Sequence, residues 1–360
     1  MTVGNYINTM KYICRFISVI VAFMLLFSAY GGRVDPSIWV LPSLATLALP
    51  VVALVAIVLL ALMALFRQWR AAAVLVGALL LSWPTLRLIS PFTVIHPSAD
   101  EEKTKLSVLT MNVTEFNWYD RNAVPSKSLR YILDQNADVV VIQEGLVYYD
   151  YDQLESVKPL LKELYEKYPY RQKPFFDVGI LSKHPFTEVK APVLKQDTIG
   201  YFIKAWDVEA PGGDLRVVGM HLSSLRFTLN DSKVIESMNV PSNRKRRIKS
   251  VATKLDNGFN SHARLARAMR QLLDETEGDV VVLGDMNDTP GSFAYRTVCG
   301  DDLRDAWADT GFGPTYTFNA HHLYVKIDHI LYRGDMKALS CRRDKAGDSD
   351  HYPLVAVFER

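Results

Sequence analysis

The chain opens with three long stretches free of charged residues: Phe16 to Gly32, Pro36 to Phe66, and Ala71 to Leu86. A helix needs about 20 predominantly apolar residues to cross the hydrocarbon of a bilayer. The pattern therefore predicts three spans, near residues 12–30, 38–66 and 71–94, inside an N-terminal region of residues 1–95. Pro42 and Pro50 leave the start of the second span open, with two spans or a re-entrant second segment as the alternative. A cleaved signal peptide explains the first stretch poorly, because two more follow and no A-x-A-like site is present.

After a polar linker over residues 96–104 the pattern shortens. "KLSVLTMNV", "ADVVVIQE", "VGILSKHP", "YFIKAWDVE", "LRVVGMHL", "DVVVLGDM", "KIDHILYR" and "PLVAVFE" are short apolar runs bounded by polar residues, as buried strands are. Helical spacing occupies residues 128–135 and 157–168. It also runs through 242–275, where Ile248, Val251, Leu255 and Phe259 recur at threes and fours. Many strands with few helices predict two sheets packed face to face beneath helices, in one domain over residues 105–360.

Charge sharpens the division. Before Pro97 there are six basic residues (Lys11, Arg15, Arg33, Arg67, Arg70, Arg87) and one acid, Asp35; the remainder carries a net charge of −3. Lys11 and Arg15 precede the first span, and Arg67 and Arg70 lie between the second and third. By the positive-inside rule the N-terminus faces the cytoplasm, and the domain lies outside a multi-pass cell-membrane anchor. Cys299 and Cys341 either pair in that oxidising compartment or stay as buried thiols.

Polar residues then collect at the strand ends. Asn112 ends the first strand, Gln143-Glu144 the second, His221 "VVGMHL", and Asp285 and Asn287 "VVVLGDMN"; Asp328 sits inside "KIDHIL", and Asp350-His351 precede the last strand. An Asp after Gly is by itself ordinary turn chemistry. The set, however, is made of carboxylates, carboxamides and histidines. Hard divalent cations take such oxygen ligands. Phosphate-ester hydrolysis needs charge neutralisation, a base for water and donors to phosphate. Glu144 suits the cation, Asp285 the water, and His351 or His221 the phosphate. Zinc spacing of the H-E-x-x-H type, a P-loop, G-x-S-x-G and G-x-G-x-x-G are all missing, and the adjacent His321-His322 reads as loop.

The ordered series Asn112, Gln143-Glu144, "ILSKHP", His221-Leu222, "GDMND", "IDHIL" and "SDHYPL" resembles the endonuclease/exonuclease/phosphatase superfamily. That group includes DNase I, apurinic endonucleases, inositol-polyphosphate 5-phosphatases and neutral sphingomyelinases. The resemblance implies a four-layer α/β sandwich and a Mg²⁺ (or Mn²⁺) cofactor. It implies that Glu144 and Asn112 are metal ligands with Asp350 near the metal, that Asp285 activates water, and that Asn287 binds the scissile phosphate. It further implies that His351 contacts phosphate with Asp328 as its partner, and that His221 is a second phosphate-contacting histidine.

The anchor and the basic run "RKRRIK" over residues 244–249 bear on substrate. Basic residues near an anionic bilayer contribute about 1 kcal/mol each, and the same run would suit a nucleic-acid backbone. Phe116, Trp118 and Tyr119 either pack their loop or touch substrate. The sequence favours a membrane-anchored hydrolase of a lipid-borne or other extracytoplasmic phosphate ester, with membrane lipids as partners and no obligate protein partner. A nuclease acting on DNA or RNA is the alternative. A non-catalytic binding module is disfavoured, because no catalytic position is damaged.

Overall fold

The computed structural model describes residues 3–94, 98–117, 126–145, 157–172, 177–196, 198–224, 244–320 and 323–360. Four helices come first: α1 (Val3–Tyr30), α2 (Leu41–Leu47), α3 (Leu49–Leu65) and α4 (Trp69–Ile89). Two segments, Lys11–Arg33 and Trp69–Ile89, are long and apolar enough to cross a membrane. The second predicted span is a bent pair: α2 and α3 meet at 62°, with Pro50 in the first turn of α3. Proline there supplies a fixed φ and removes an amide that the preceding helix would need. Leu25, Leu49, Ala56 and Leu75 are buried between the helices, whereas Phe16, Phe23, Leu54, Leu65 and Leu80 face outward. Apolar side chains pointing both inward and outward suit lipid rather than water.

The rest of the chain alternates. In order come β1 (Lys105–Asn112), α5 (Lys127–Gln135), β2 (Val139–Gln143), α6 (Lys158–Lys167), β3 (Tyr170–Arg171), β4 (Val178–Ser182) and β5 (Phe186–Glu188). Then follow α7 (Ile199–Phe202), β6 (Ile203–Ala210), β7 (Gly213–His221), α8 (Arg244–Asp274), β8 (Val280–Asp285) and α9 (Phe293–Cys299). The chain closes with β9 (Arg304–Asp305), α10 (Ala306–Thr310), β10 (Phe318–Ala320), β11 (Leu323–Val325), β12 (Asp328–Arg333), β13 (Lys337–Arg343) and β14 (Leu354–Glu359). Two mixed six-stranded sheets result, ordered β13-β14-β1-β2-β4-β3 and β5-β6-β7-β8-β12-β9, with β10 and β11 as a separate ribbon.

Val108, Val141, Ile180, Trp206, Val217, Leu283 and Phe358 fill the space between the sheets. Leu129, Ile132, Leu161 and Leu164 of α5 and α6 cover the outer face of the first sheet, and Leu265, Met269, Leu272 and Val298 of α8 and α9 cover the second. That is the four-layer α/β sandwich expected. Phe116 is buried under α5, so it packs its loop; Trp118, Tyr119 and His321-His322 lie outside the described residues. The basic run opens α8, and of its side chains only Lys249 is described, as exposed. Cys299 and Cys341 are free thiols, each pushed up to about 12 by burial.

The helices rest directly on the sandwich. A Cβ on Gly32 would lie 1.9 Å from the Gly291 carbonyl oxygen, so only glycine allows that approach. Arg296 of α9 donates to the Ala29 carbonyl and to Thr85 Oγ1, at 3.3 and 2.8 Å, and Arg267 of α8 pairs with Asp35. Past α4, Gly313 donates its N–H to the Pro91 carbonyl at 2.7 Å, Thr93 donates to that of Gly311 at 3.2 Å, and the rings of Phe92 and Phe312 meet edge to face. The described part of the linker is held too, since the Asp100 N–H donates to the Glu359 carboxylate.

Candidate active site

Strand register gathers the predicted residues. β1 and β2 run parallel with Asn112 opposite Gln143, and β7 and β8 run parallel with His221 opposite Asp285. β12 runs antiparallel to β8 with Asp328 opposite Asp285. The same ends of both sheets thus meet at one rim. Gly284, at φ 141°, brings β8 so close to β7 that a Cβ there would lie 2.0 Å from the Met220 carbonyl oxygen. Glu144 and Asn287 also hold positive φ, 57° and 51°. Non-glycine residues in that region cluster where function needs a side chain aimed against the grain of the chain.

Asp285 is the centre. Its Oδ1 accepts the Asn287 N–H at 2.7 Å, and its Oδ2 accepts from Asn287 Nδ2 at 3.2 Å and Asn112 Nδ2 at 3.3 Å. His221 Nε2 stands 3.6 Å from that oxygen on one side, and His351 Nε2 stands 3.7 Å away on the other. Each imidazole is backed by its own carboxylate. His351 Nδ1 faces Asp328 at 3.0 Å, and His221 Nδ1 faces Asp177 at 2.6 Å. Nδ1 therefore donates in both rings and Nε2 points into the site. Asn112 Nδ2 also donates to Glu144 at 2.9 Å, and Glu144 lies 3.7 Å from His221 Nε2.

Burial and charge act in opposite directions here. Burial lowers the affinity of His351 for a proton, but the Asp328 and Asp285 carboxylates outweigh it and raise the pKa to about 10. Burial is likewise outweighed at His221, by its hydrogen bond to Asp177 and the charge of Asp285, which raise it to about 9. Asp285, fully buried and beside Asp328, rises to about 6 despite the two imidazoles. Glu144, Asp177, Asp285 and Asp328 outnumber the two histidines, so the cluster carries excess negative charge even with both rings protonated. Among the described residues, the buried Asp328 Oδ1 has no hydrogen-bond partner. An oxygen-rich, sulfur-free, net-negative cluster fits a hard divalent cation. Ligand atoms of Asp285, Asp328 and His351 lie within 4.8 Å of one another, and these three buried residues form a group able to hold one.

Asn112, Glu144, His221, Asp285, Asn287, Asp328 and His351 are all brought together. Asp350 is not in direct contact with Glu144 or Asn112 by any described hydrogen bond; its carboxylate accepts from Thr114 Oγ1 at 2.9 Å, and the Thr114 N–H donates to Asn112 Oδ1. Three participants escaped the sequence. Asp177 immediately precedes β4, and its position at a strand end was the available signal. Thr317 Oγ1 accepts the amides of Ile327 and Asp328. His262, buried in mid-helix, donates from Nε2 to the Ser223 carbonyl at 2.6 Å and faces Asp288 at 3.4 Å, joining the loops after β7 and β8. Nothing in the helical spacing marked it.

A family model described as the endonuclease/exonuclease/phosphatase family matches residues 119–351, and one described as a domain of unknown function matches residues 11–89. No curated protein matches the chain. Similar solved structures include TDP2 of D. rerio complexed with single-strand DNA product, at 16% identity, covering 71% of this chain and 100% of that one, with a TM-score of 0.46. Sphingomyelinase C of Streptomyces griseocarneus is 17% identical over 71% of this chain and 99% of its own, with a TM-score of 0.43. An endonuclease/exonuclease/phosphatase of Bacteroides vulgatus is 18% identical over 71% and 99%, with a TM-score of 0.45. These likenesses concern the fold.

Proposed function

Since the chain belongs to the endonuclease/exonuclease/phosphatase family, we propose that it is a membrane-anchored, divalent-metal-dependent hydrolase of a lipid-borne or other extracytoplasmic phosphate ester. The observation that carries the reaction is Asp285 held between two imidazoles, each backed by a carboxylate. A buried carboxylate near pH 6 is a base suited to neutral pH, and it takes a proton from the attacking water. His351 and His221, charged below about 10 and 9, donate from Nε2 to the phosphate oxygens. Asn287, on a backbone turned by its positive φ, would offer the phosphate an amide that bonds Asp285 and the Leu222 carbonyl here.

Glu144 and Asn112 would hold Mg²⁺ or Mn²⁺, with Asp350 behind Thr114. The cation supplies charge neutralisation to the phosphate. We favour Glu144 over the Asp285–Asp328–His351 group because, in this reading, Asp285 takes the proton from water and His351, backed by Asp328, contacts the phosphate. Position supports a membrane substrate. Gly291, six residues beyond Asp285, touches Gly32 and Thr85 at the helix ends, a path of at most about 20 Å. Thr317, which holds the Asp328 amide, is two residues from Thr315, whose N–H donates to the Ile89 carbonyl at the end of α4.

Turnover of a generic phosphodiester with Mg²⁺ or Mn²⁺, its loss with a chelator, and calorimetric metal binding test the assignment together. Asp285→Asn should lower kcat by roughly 10²–10⁴ while metal affinity persists. Glu144→Gln should weaken metal affinity at least about tenfold. Full turnover by Asp285→Asn sinks the base. Unchanged affinity in Glu144→Gln moves the metal to Asp285, Asp328 and His351.

A further inference from the structure

A cavity of about 520 Å³ lies away from the catalytic rim, between the helix ends and the α9–α10 side of the sandwich. Arg33, just after α1, and Arg87, in the last turn of α4, line it together with Arg296 and Arg304. Leu88 and Ala308 add an apolar wall. Charge there is unbalanced. Among the described residues neither Arg33 nor Arg87 forms an ion pair, and Arg33 lies over the Tyr30 ring at 4.8 Å. The half-buried Arg296 spends its donors on neutral acceptors: the carbonyls of Ala29 and Gly291 and the Thr85 hydroxyl.

Burial and the charge of Arg33 both lower the proton affinity of Arg296, as expected where guanidiniums gather without a counter-ion. Two of the lining acids are committed elsewhere. Asp305 pairs with Lys326 at 2.8 Å and accepts the Tyr295 hydroxyl, and Asp309 accepts that of Tyr332. The charges of Asp301, exposed, and Asp309 are left against four arginines. We propose that this cavity binds the phosphate headgroup of an anionic membrane lipid.

The cavity's height selects a lipid over a free phosphate. Its helical wall is the last turn of α4, directly above Leu80, Leu81 and Trp83, which face outward. Trp83 stacks on Phe92 at 5.8 Å, and Phe92 meets Phe312 of the sandwich, an aromatic band of the kind that sits at a membrane–water boundary. A phosphate at this level meets the forked donors of Arg33 and Arg87, with the charge of Arg296 behind them, while acyl chains follow the exposed apolar side of α4. Guanidinium forks match phosphate oxygens in pairs. The site is separate from catalysis, and it rests on the helices lying in a bilayer, not on the hydrolytic reading.

The test uses full-length protein carrying Asp285→Asn, so that turnover consumes no lipid, in nanodiscs of phosphatidylcholine doped with phosphatidylglycerol. Native mass spectrometry after detergent release counts retained lipid. The expected result is phosphatidylglycerol retained over phosphatidylcholine, and a roughly thirtyfold loss of that preference in Arg33→Gln/Arg87→Gln, the cost of two basic contacts at a membrane surface. Arg87→Gln alone, at an exposed position, gives a smaller loss in the same direction and replaces the double variant if gel filtration shows that one misfolded. Retention unchanged in these variants, or absent in the parent, overturns the proposal. So does glycerol 3-phosphate displacing the lipid at equal concentration, which would make the ligand a soluble phosphate. Lipid held at the catalytic rim instead would survive both variants.

Discussion

Asp177 shows what a single side chain adds at this site. Its 2.6 Å contact fixes which nitrogen of His221 carries the proton and keeps the ring charged far above the ordinary imidazole range. The direction is unambiguous. A histidine raised to about 9 holds its charge through neutral pH and loses it as pH rises through 9. Without Asp177 it falls toward 6.5 and discharges across the window between. Asp177→Asn should therefore move the alkaline limb of kcat/KM to lower pH and lower the rate at pH 8 by about tenfold or more, with recovery near pH 6. A pH–rate profile with an unmoved limb rules out His221 as a charged phosphate donor. Most of the predicted acids and histidines were legible because they lie in or at the end of an apolar run, whereas His262 lies in mid-helix. Asp177 also directly precedes an apolar run, "VGILS", but its pairing with His221 was visible only once the strand ends met.

At the scale of elements, period and length decided what could be read. The eight long strands show as apolar runs because both faces of their sheets are covered, by the other sheet and by helices. β3, β5, β9, β10 and β11 are two or three residues long, too short for any period to register. β13 is longer, but its pairing with β14 slips between Ala338 and Ser340, and the bulge breaks the alternation that "KALSCRR" would otherwise show. The bend between α2 and α3 had its signal in Pro50, whose effect on a helix is local and certain while the direction of the next segment is set by packing. Gly284 is the point where element geometry becomes site geometry. Gly284→Ala forces a side chain into both a positive φ and the Met220 carbonyl, and should cost at least about 1–3 kcal/mol, a fall of roughly 3–10 °C in Tm. Because Asp285 follows directly, kcat should fall as well. A variant with native Tm and kcat would mean that β7 and β8 do not need this close approach to hold the site.

The whole molecule couples a set of lipid-suited helices to a hydrolytic sandwich by contact rather than by reach. Residues 96–104 read from sequence as a linker that limits travel, yet Pro91, Thr93, Gly311 and Gly313 exchange backbone hydrogen bonds beside the helix ends. Arg267, Arg296 and Gly291 extend the same seam. With the helices in a bilayer, as proposed, such a seam would hold the rim at one height above it, because the loops from Asp285 to Gly291 and from Thr315 to Thr317 each have one end at the site and the other at the helices. On the proposed reading a membrane-borne ester would diffuse in two dimensions past a rim so placed, and its effective concentration would rise in a way that a free polymer does not share. The proposed side follows from Lys11, Arg15, Arg67 and Arg70, so a reporter that fluoresces only in the cytoplasm, fused after Arg360, should stay dark. Full-length protein in mixed micelles should then hydrolyse a phospholipid- or sphingolipid-type headgroup ester faster than it cuts DNA or RNA under the same Mg²⁺. Replacing residues 244–249 with Ser or Gln should lower the rate on anionic vesicles and spare a small soluble ester, since only the vesicle carries the surface charge that those residues meet. Efficient digestion of nucleic acid together with inactivity on every lipid offered would assign the rim to a nuclease, and the seam would then serve to hold that nuclease at the membrane.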